Sequence, residues 1–184
     1  MDLIDAASAE FERVVRELPP GAWARPTLVD ASIRELVEHV VIGNRLAALW
    51  LEGVSRDEAR VEVAGDQLGD DPVAAVADSS ARQAAAFAAA EPDQVVPHPN
   101  GDITASAFLR YRLVDLMVHA WDLLRAADLD DRLDASVVRQ LWSTIEPHLP
   151  EMLAFGAYGD GPSGAFASDE AGQVQLLDAF GRRP

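Results

Sequence analysis

The stretch LRYRLVDLMVHAWDLLRA, from Leu109 to Ala126, decides how this chain is read. Its apolar residues recur at helical spacing, and Leu109, Leu113, Val114, Leu116, Met117, Val118, Trp121, Leu123 and Leu124 cover most of the helix circumference. Arg112, Asp115, His119 and Asp122 follow one another at spacings of three, four and three, which gathers them into one narrow polar stripe. A helix this apolar belongs at the centre of a bundle. The stripe is then either the one edge that meets water, the commoner fate of charged residues, or a buried polar site.

Working outward, the remaining periodic stretches are also helical, so the fold class is all-α. One helix runs from about Leu3 to Leu18 and is stopped by Pro19, Pro20 and Gly21. A second begins at Ser32, whose spacing to Glu35 fits a capping box, and continues to about Glu52 before Gly53. Asp71 followed by Pro72 starts a third through the alanine-rich stretch to Ala90. The fourth, about Thr104 to Ala127, carries the stripe, and a fifth spans about Asp134 to Pro147. Gly156 to Gly164 reads as irregular chain, with a short amphipathic turn near Val174 to Phe180. Val54 to Asp70 and Glu91 to Gly101 are the long connections, where bundles place loops that cover sites. The whole of 1–184 is expected to form a single domain.

Asp115 and His119 stand one turn apart, so a carboxylate oxygen and an imidazole nitrogen can reach one metal ion. A third ligand must come from another helix. His39 is the best candidate, mid-helix beside Leu36, Val40, Gly43 and Ala47; the plain alternative is a histidine at the core edge with a carboxylate or backbone partner. Gly43, one turn on, removes bulk where something else can approach. His98, between prolines, reads as an exposed loop histidine, with a mobile site-covering residue as the less common alternative, and His148 as a helix-end residue interacting with the helix C-terminus. Asp122 can accept a hydrogen bond from a ligand histidine or be a surface acid, and Arg112 can bind a substrate carboxylate or simply face solvent. Trp50, Trp121 and Trp142 read as core.

Composition narrows the function classes. The formal net charge is −16, all fifteen basic residues are arginine, and the only basic cluster is the terminal Gly-Arg-Arg-Pro, which argues against nucleic-acid binding. The acidic start MDLIDAASAEFERVV does not resemble a signal peptide, and no run approaches about 18 apolar residues, so a cytoplasmic protein outside the membrane is expected. With no cysteine, thiol chemistry requires a thiol from outside.

The stretch IRELVEHVVIGN (Ile33 to Asn44), followed much later by LRYRLVDLMVHAWDLLRA, resembles the metal-binding domain of mycothiol-dependent maleylpyruvate isomerases, a branch of the DinB-like superfamily. The closing LLDAFGRRP resembles the tail of short members of that branch. The resemblance implies a DinB-like four-helix bundle with additional short helical segments, and a metal held by His39, Asp115 and His119. The isomerase has glutamate where this chain has Asp115, which shortens the carboxylate reach by one methylene. The likeness is to the isomerase's first domain, so maleylpyruvate isomerisation itself is not implied. Asn44, close after the histidine motif, is placed near the pocket mouth by the resemblance alone.

Two histidines and one carboxylate leave coordination positions open, as in catalytic zinc sites. Zinc is the expected ion, although nickel, iron(II) or manganese suit the same donors. The implied function is a zinc-dependent transferase or isomerase that uses a thiol cofactor of the mycothiol type on a small electrophile. A non-catalytic metal- or small-ligand-binding protein with the same site is the alternative, and a bundle with a solvated stripe and no metal is a third. Bundles of this kind often form homodimers.

Overall fold

The computed structural model describes residues 2–99, 101–154, 161–166 and 172–184. α1 (Leu3–Glu17), α2 (Ile33–Leu51), α4 (Pro72–Ala89) and α5 (Ala105–Ala126) form the four-helix bundle, with α2 packed on α4 and α5, and α1 on α5 and α4. The boundaries follow local chemistry. Ser32 accepts from the Glu35 amide while the Glu35 side chain accepts from the Ser32 amide, closing a capping box ahead of α2. Asp71 accepts from Ala74 N–H with Pro72 in the first turn of α4, and Thr104 caps α5 through Ala107 N–H.

The connections hold more structure than periodicity predicts. Within Val54 to Asp70 lies α3 (Arg56–Glu62), started by a second capping box between Ser55 and Glu58. A seven-residue helix is too short to register as an amphipathic repeat. Within and beyond Glu91 to Gly101, β1 (Val95–Val96) pairs antiparallel with β2 (Ile103–Thr104), forming a hairpin ahead of α5. The expected fifth helix, Asp134 to Pro147, is shorter: α6 spans Ala135–Ile145, a 3₁₀ turn covers Glu146–His148, and α7 (Leu149–Ala154) follows. Pro147 lacks the amide that would continue an α-helical ladder, which accounts for the switch. α8 (Gly172–Ala179) packs on α6. Most of Gly156 to Gly164 lies outside the described residues.

Phe11, Trp121, Leu116, Met117 and Phe180 are among the fully buried side chains joining α1, α5 and α8 in the main core. A second apolar cluster around Trp50, Phe108 and Val96 closes the bundle beside the hairpin. Trp50 and Trp121 are buried and Trp142 packs against the core, consistent with apolar roles. No helix among the described residues is long and apolar enough to cross a membrane.

Candidate functional site

The polar stripe of α5 does not face water. Arg112 is buried, Asp122 is 0% exposed, and Asp115 and His119 retain 18% and 13% side-chain exposure. His39, on α2 opposite, is 59% exposed and reaches the same place from the solvent side. Its Nε2 lies 3.5 Å from Asp115 Oδ1, and His119 Nε2 lies 3.1 Å from that same oxygen. The two imidazoles stand edge to face, 5.3 Å between centroids. Ligand atoms of the three residues all fall within 4.8 Å of one another. Donors bound at about 2.0–2.2 Å to one tetrahedral ion stand roughly 3.3–3.6 Å apart. The two spacings to Asp115 Oδ1, 3.5 and 3.1 Å, lie near this separation, and the nitrogen and oxygen donors suit a divalent cation.

The surrounding contacts fix these donors. Arg112 Nη1 donates to Asp115 Oδ2 and leaves Oδ1 turned to the histidines. Arg112 Nε donates to Gln83 Oε1 at 2.9 Å, and Nη2 to Asn44 Oδ1 at 2.7 Å and Val40 O at 3.3 Å. With these donors engaged inside the protein, Arg112 holds the carboxylate; clamping a substrate carboxylate would require breaking this set. Asn44 is not at the pocket mouth. It is fully buried, and its amide donates to Ser79 and Ser80 on α4 at 3.1 and 3.4 Å. Gly43 explains how the guanidinium fits: a Cβ there would lie 2.8 Å from Arg112 Cζ. The group that approaches Gly43 is thus Arg112 itself.

Asp122 pairs with His119 Nδ1 at 2.9 Å and also receives Arg182 from the C-terminal tail. Burial opposes ionisation of Asp115, but the Arg112 guanidinium and His119 outweigh it and hold the carboxyl well below its usual range. Burial likewise raises Asp122, yet His119 and Arg182 bring it below its ordinary value. For His119, burial lowers the pKa, while Asp115 and then Asp122 raise it to about 9.

The triad borders a cavity of about 1130 Å³ whose lining includes the apolar Ile42, Leu46, Trp50 and Phe108 together with Arg182 and Arg183. His98 also lines it, which corrects its reading as an exposed loop histidine. It is half-buried, stacked on Tyr111 at 5.3 Å and edge-on to Phe108 at 5.8 Å. Burial first, then the Arg56 guanidinium, lower its pKa. Arg56 also donates to the His98 carbonyl at 3.0 Å, tying the hairpin to α3. His148, by contrast, sits in the 3₁₀ turn, 3.9 Å from Glu151, and is not part of the cavity lining.

Sequence reading missed Gln83, Ser79, Ser80, Tyr111 and Arg182. Three of them were visible as the polar interruptions of an alanine-rich helix, and Tyr111 as the residue one turn before Asp115. Arg182 lies in the tail LLDAFGRRP, whose resemblance marked the segment but gave this residue no role.

Residues 4–124 match the family model described as the mycothiol maleylpyruvate isomerase N-terminal domain. Two solved structures share the fold, the mycothiol-dependent maleylpyruvate isomerase and a histidine-to-alanine mutant of it, at 19% and 18% identity. Each gives a TM-score of 0.59 over 82% of this chain, and the chain spans 66% of the length of each. No curated protein matches.

Proposed function

Because the chain belongs to the mycothiol maleylpyruvate isomerase N-terminal domain family, we propose that it is a cytoplasmic, divalent-metal-binding, thiol-dependent transferase or isomerase of a small electrophile. His39, Asp115 and His119 form the ligand set, zinc is the ion, and a low-molecular-weight thiol of the mycothiol type is the cofactor. The observation that carries this reading is the convergence of three donor groups within 4.8 Å beside a cavity large enough for both small molecules. With no cysteine in the chain, the thiol comes from outside.

A bound divalent cation supplies Lewis acidity, which lowers the pKa of a thiol or water at an open coordination position. The chain's own residues do the rest. Arg112 occupies Asp115 Oδ2 and so keeps the carboxylate presenting its other oxygen. Asp122 engages His119 Nδ1, which leaves Nε2 directed at the ligand cluster. Leu46, Trp50 and Phe108 give the cavity an apolar wall against which the apolar part of a small substrate can pack.

Cobalt substitution tests this function. Cobalt-loaded protein titrated with mycothiol should develop a sulfur-to-cobalt charge-transfer band, and a His39→Ala, His119→Ala double variant should retain neither metal nor band. Stoichiometric metal in the double variant would sink the ligand assignment. Cobalt binding without a band for any physiological thiol would rule out the thiol-dependent enzyme and leave water activation or the non-catalytic metal-binding alternative.

A further inference from the structure

Arg182 lies outside the segment that matches the family model, yet its side chain is built into the candidate site. After α8 ends at Ala179, Phe180 is fully buried and anchors the tail in the core. Gly181 then takes a φ of +78°, a left-handed conformation that suits glycine. The turn is closed by Gly181 N–H donating to Asp178 O at 3.1 Å and Arg182 N–H donating to Leu177 O at 2.9 Å. It directs Arg182 onto α5, where Nε and Nη2 grip the two oxygens of Asp122 at 3.0 and 2.6 Å. The remaining nitrogen, Nη1, donates to Phe180 O at 3.0 Å, so the guanidinium plane is set from its own turn as well. The Arg182 side chain is 11% exposed.

A wholly buried carboxylate needs a cation and a full set of hydrogen bonds to remain ionised in a single orientation. Bidentate contact with an arginine supplies both and removes the freedom of the carboxylate to rotate. The oxygen that Arg182 Nη2 holds at 2.6 Å is the same Oδ2 that meets His119 Nδ1 at 2.9 Å. We propose that Arg182 is a positioning residue of the site: the C-terminal turn clamps Asp122, and Asp122 thereby fixes the His119 ring with Nδ1–H engaged and Nε2 toward Asp115. The proposal rests on His119 being a ligand only for its consequence for metal, since the ring orientation exists without one. A tail with only a packing role would lower stability when altered and leave the ring unchanged.

The test reads the ring directly in metal-free, isotope-labelled protein. Wild type should show a slowly exchanging, hydrogen-bonded His119 Nδ1–H resonance. Arg182→Met should lose it or exchange at least about tenfold faster through local opening, while Arg182→Lys should restore part of the protection. Zinc affinity should fall in Arg182→Met by up to about 10–100-fold, the range for losing an outer partner of a ligand histidine, because Asp122 is that partner and loses its clamp. An unchanged Nδ1–H signal in folded Arg182→Met overturns the proposal. If that variant does not fold, Arg182→Lys is read the same way, because lysine keeps the charge without the two-oxygen grip. A wild-type protein that binds no divalent metal yet shows the predicted ring signals would defeat the proposed function and leave the role of Arg182 standing.

Discussion

At Gly43 helix propensity and packing favour opposite residues. Replacing a helical glycine by alanine ordinarily stabilises by about 1 kcal/mol. Here the new methyl group meets the buried guanidinium of Arg112 at less than van der Waals distance, and overpacking of that kind costs about 1–3 kcal/mol before any loss in the Gln83, Asn44 and Asp115 contacts. Packing wins: Gly43→Ala should be net destabilising by about 1–2 kcal/mol in urea unfolding, and a more stable variant would mean that Arg112 has somewhere else to go. His119 gives a pH prediction. Its pKa in the metal-free fold is raised to about 9 from an ordinary 6.5, so the protonated ring stabilises the fold below 6.5, and that contribution fades as pH rises through about 9. A metal needs the neutral ring, so binding below about pH 9 expels a proton and apparent affinity should rise about tenfold per unit between about pH 7 and 8.5. Calorimetry in buffers of different ionisation enthalpy counts the proton released; a flat pH profile would contradict the raised value.

Among elements, α2 is positioned by its first turn. The Ser32 and Glu35 capping box sets where the helix starts, and everything on the helix, His39, Gly43 and Asn44 included, takes its register from that start. Ser32→Ala should cost about 1 kcal/mol of global stability, in the usual range for an N-cap, with α-helical circular dichroism nearly unchanged. A much larger loss would indicate that Ser32 supports the loop bridge between Pro26 and Ser32 as well as the helix. The elements that sequence periodicity overlooked are short. α3 and the hairpin of β1 and β2 have too few residues to display a period, and they are stable only because Ala59 and Val96 bury against the cluster of Trp50 and Phe108.

For the molecule as a whole, the proposed function makes metal binding and folding coupled, because the proposed ligands come from α2 and α5 and are brought together only when the bundle closes. Zinc at about 100 times its dissociation constant should stabilise the fold by about 2.7 kcal/mol, a rise of about 5–10 °C in Tm for a chain of this size. A chelator should reverse it, and stoichiometric zinc with no change in Tm would mean the ion binds the unfolded chain equally well. The sequence alone determined the helices that begin at Ser32, Asp71 and Thr104 and the placement of Arg112, Asp115, His119 and Asp122 on one line, because caps and helical spacing act over a few residues. Tertiary structure alone decided that this line is buried and that Asn44 sits inside. It also decided that Arg112 fills the space at Gly43, that His98 stacks on Tyr111 and that Arg182 reaches Asp122 from 60 residues away. Periodicity states which residues share a face, but what meets that face depends on how separate helices pack, and those contacts leave no local trace.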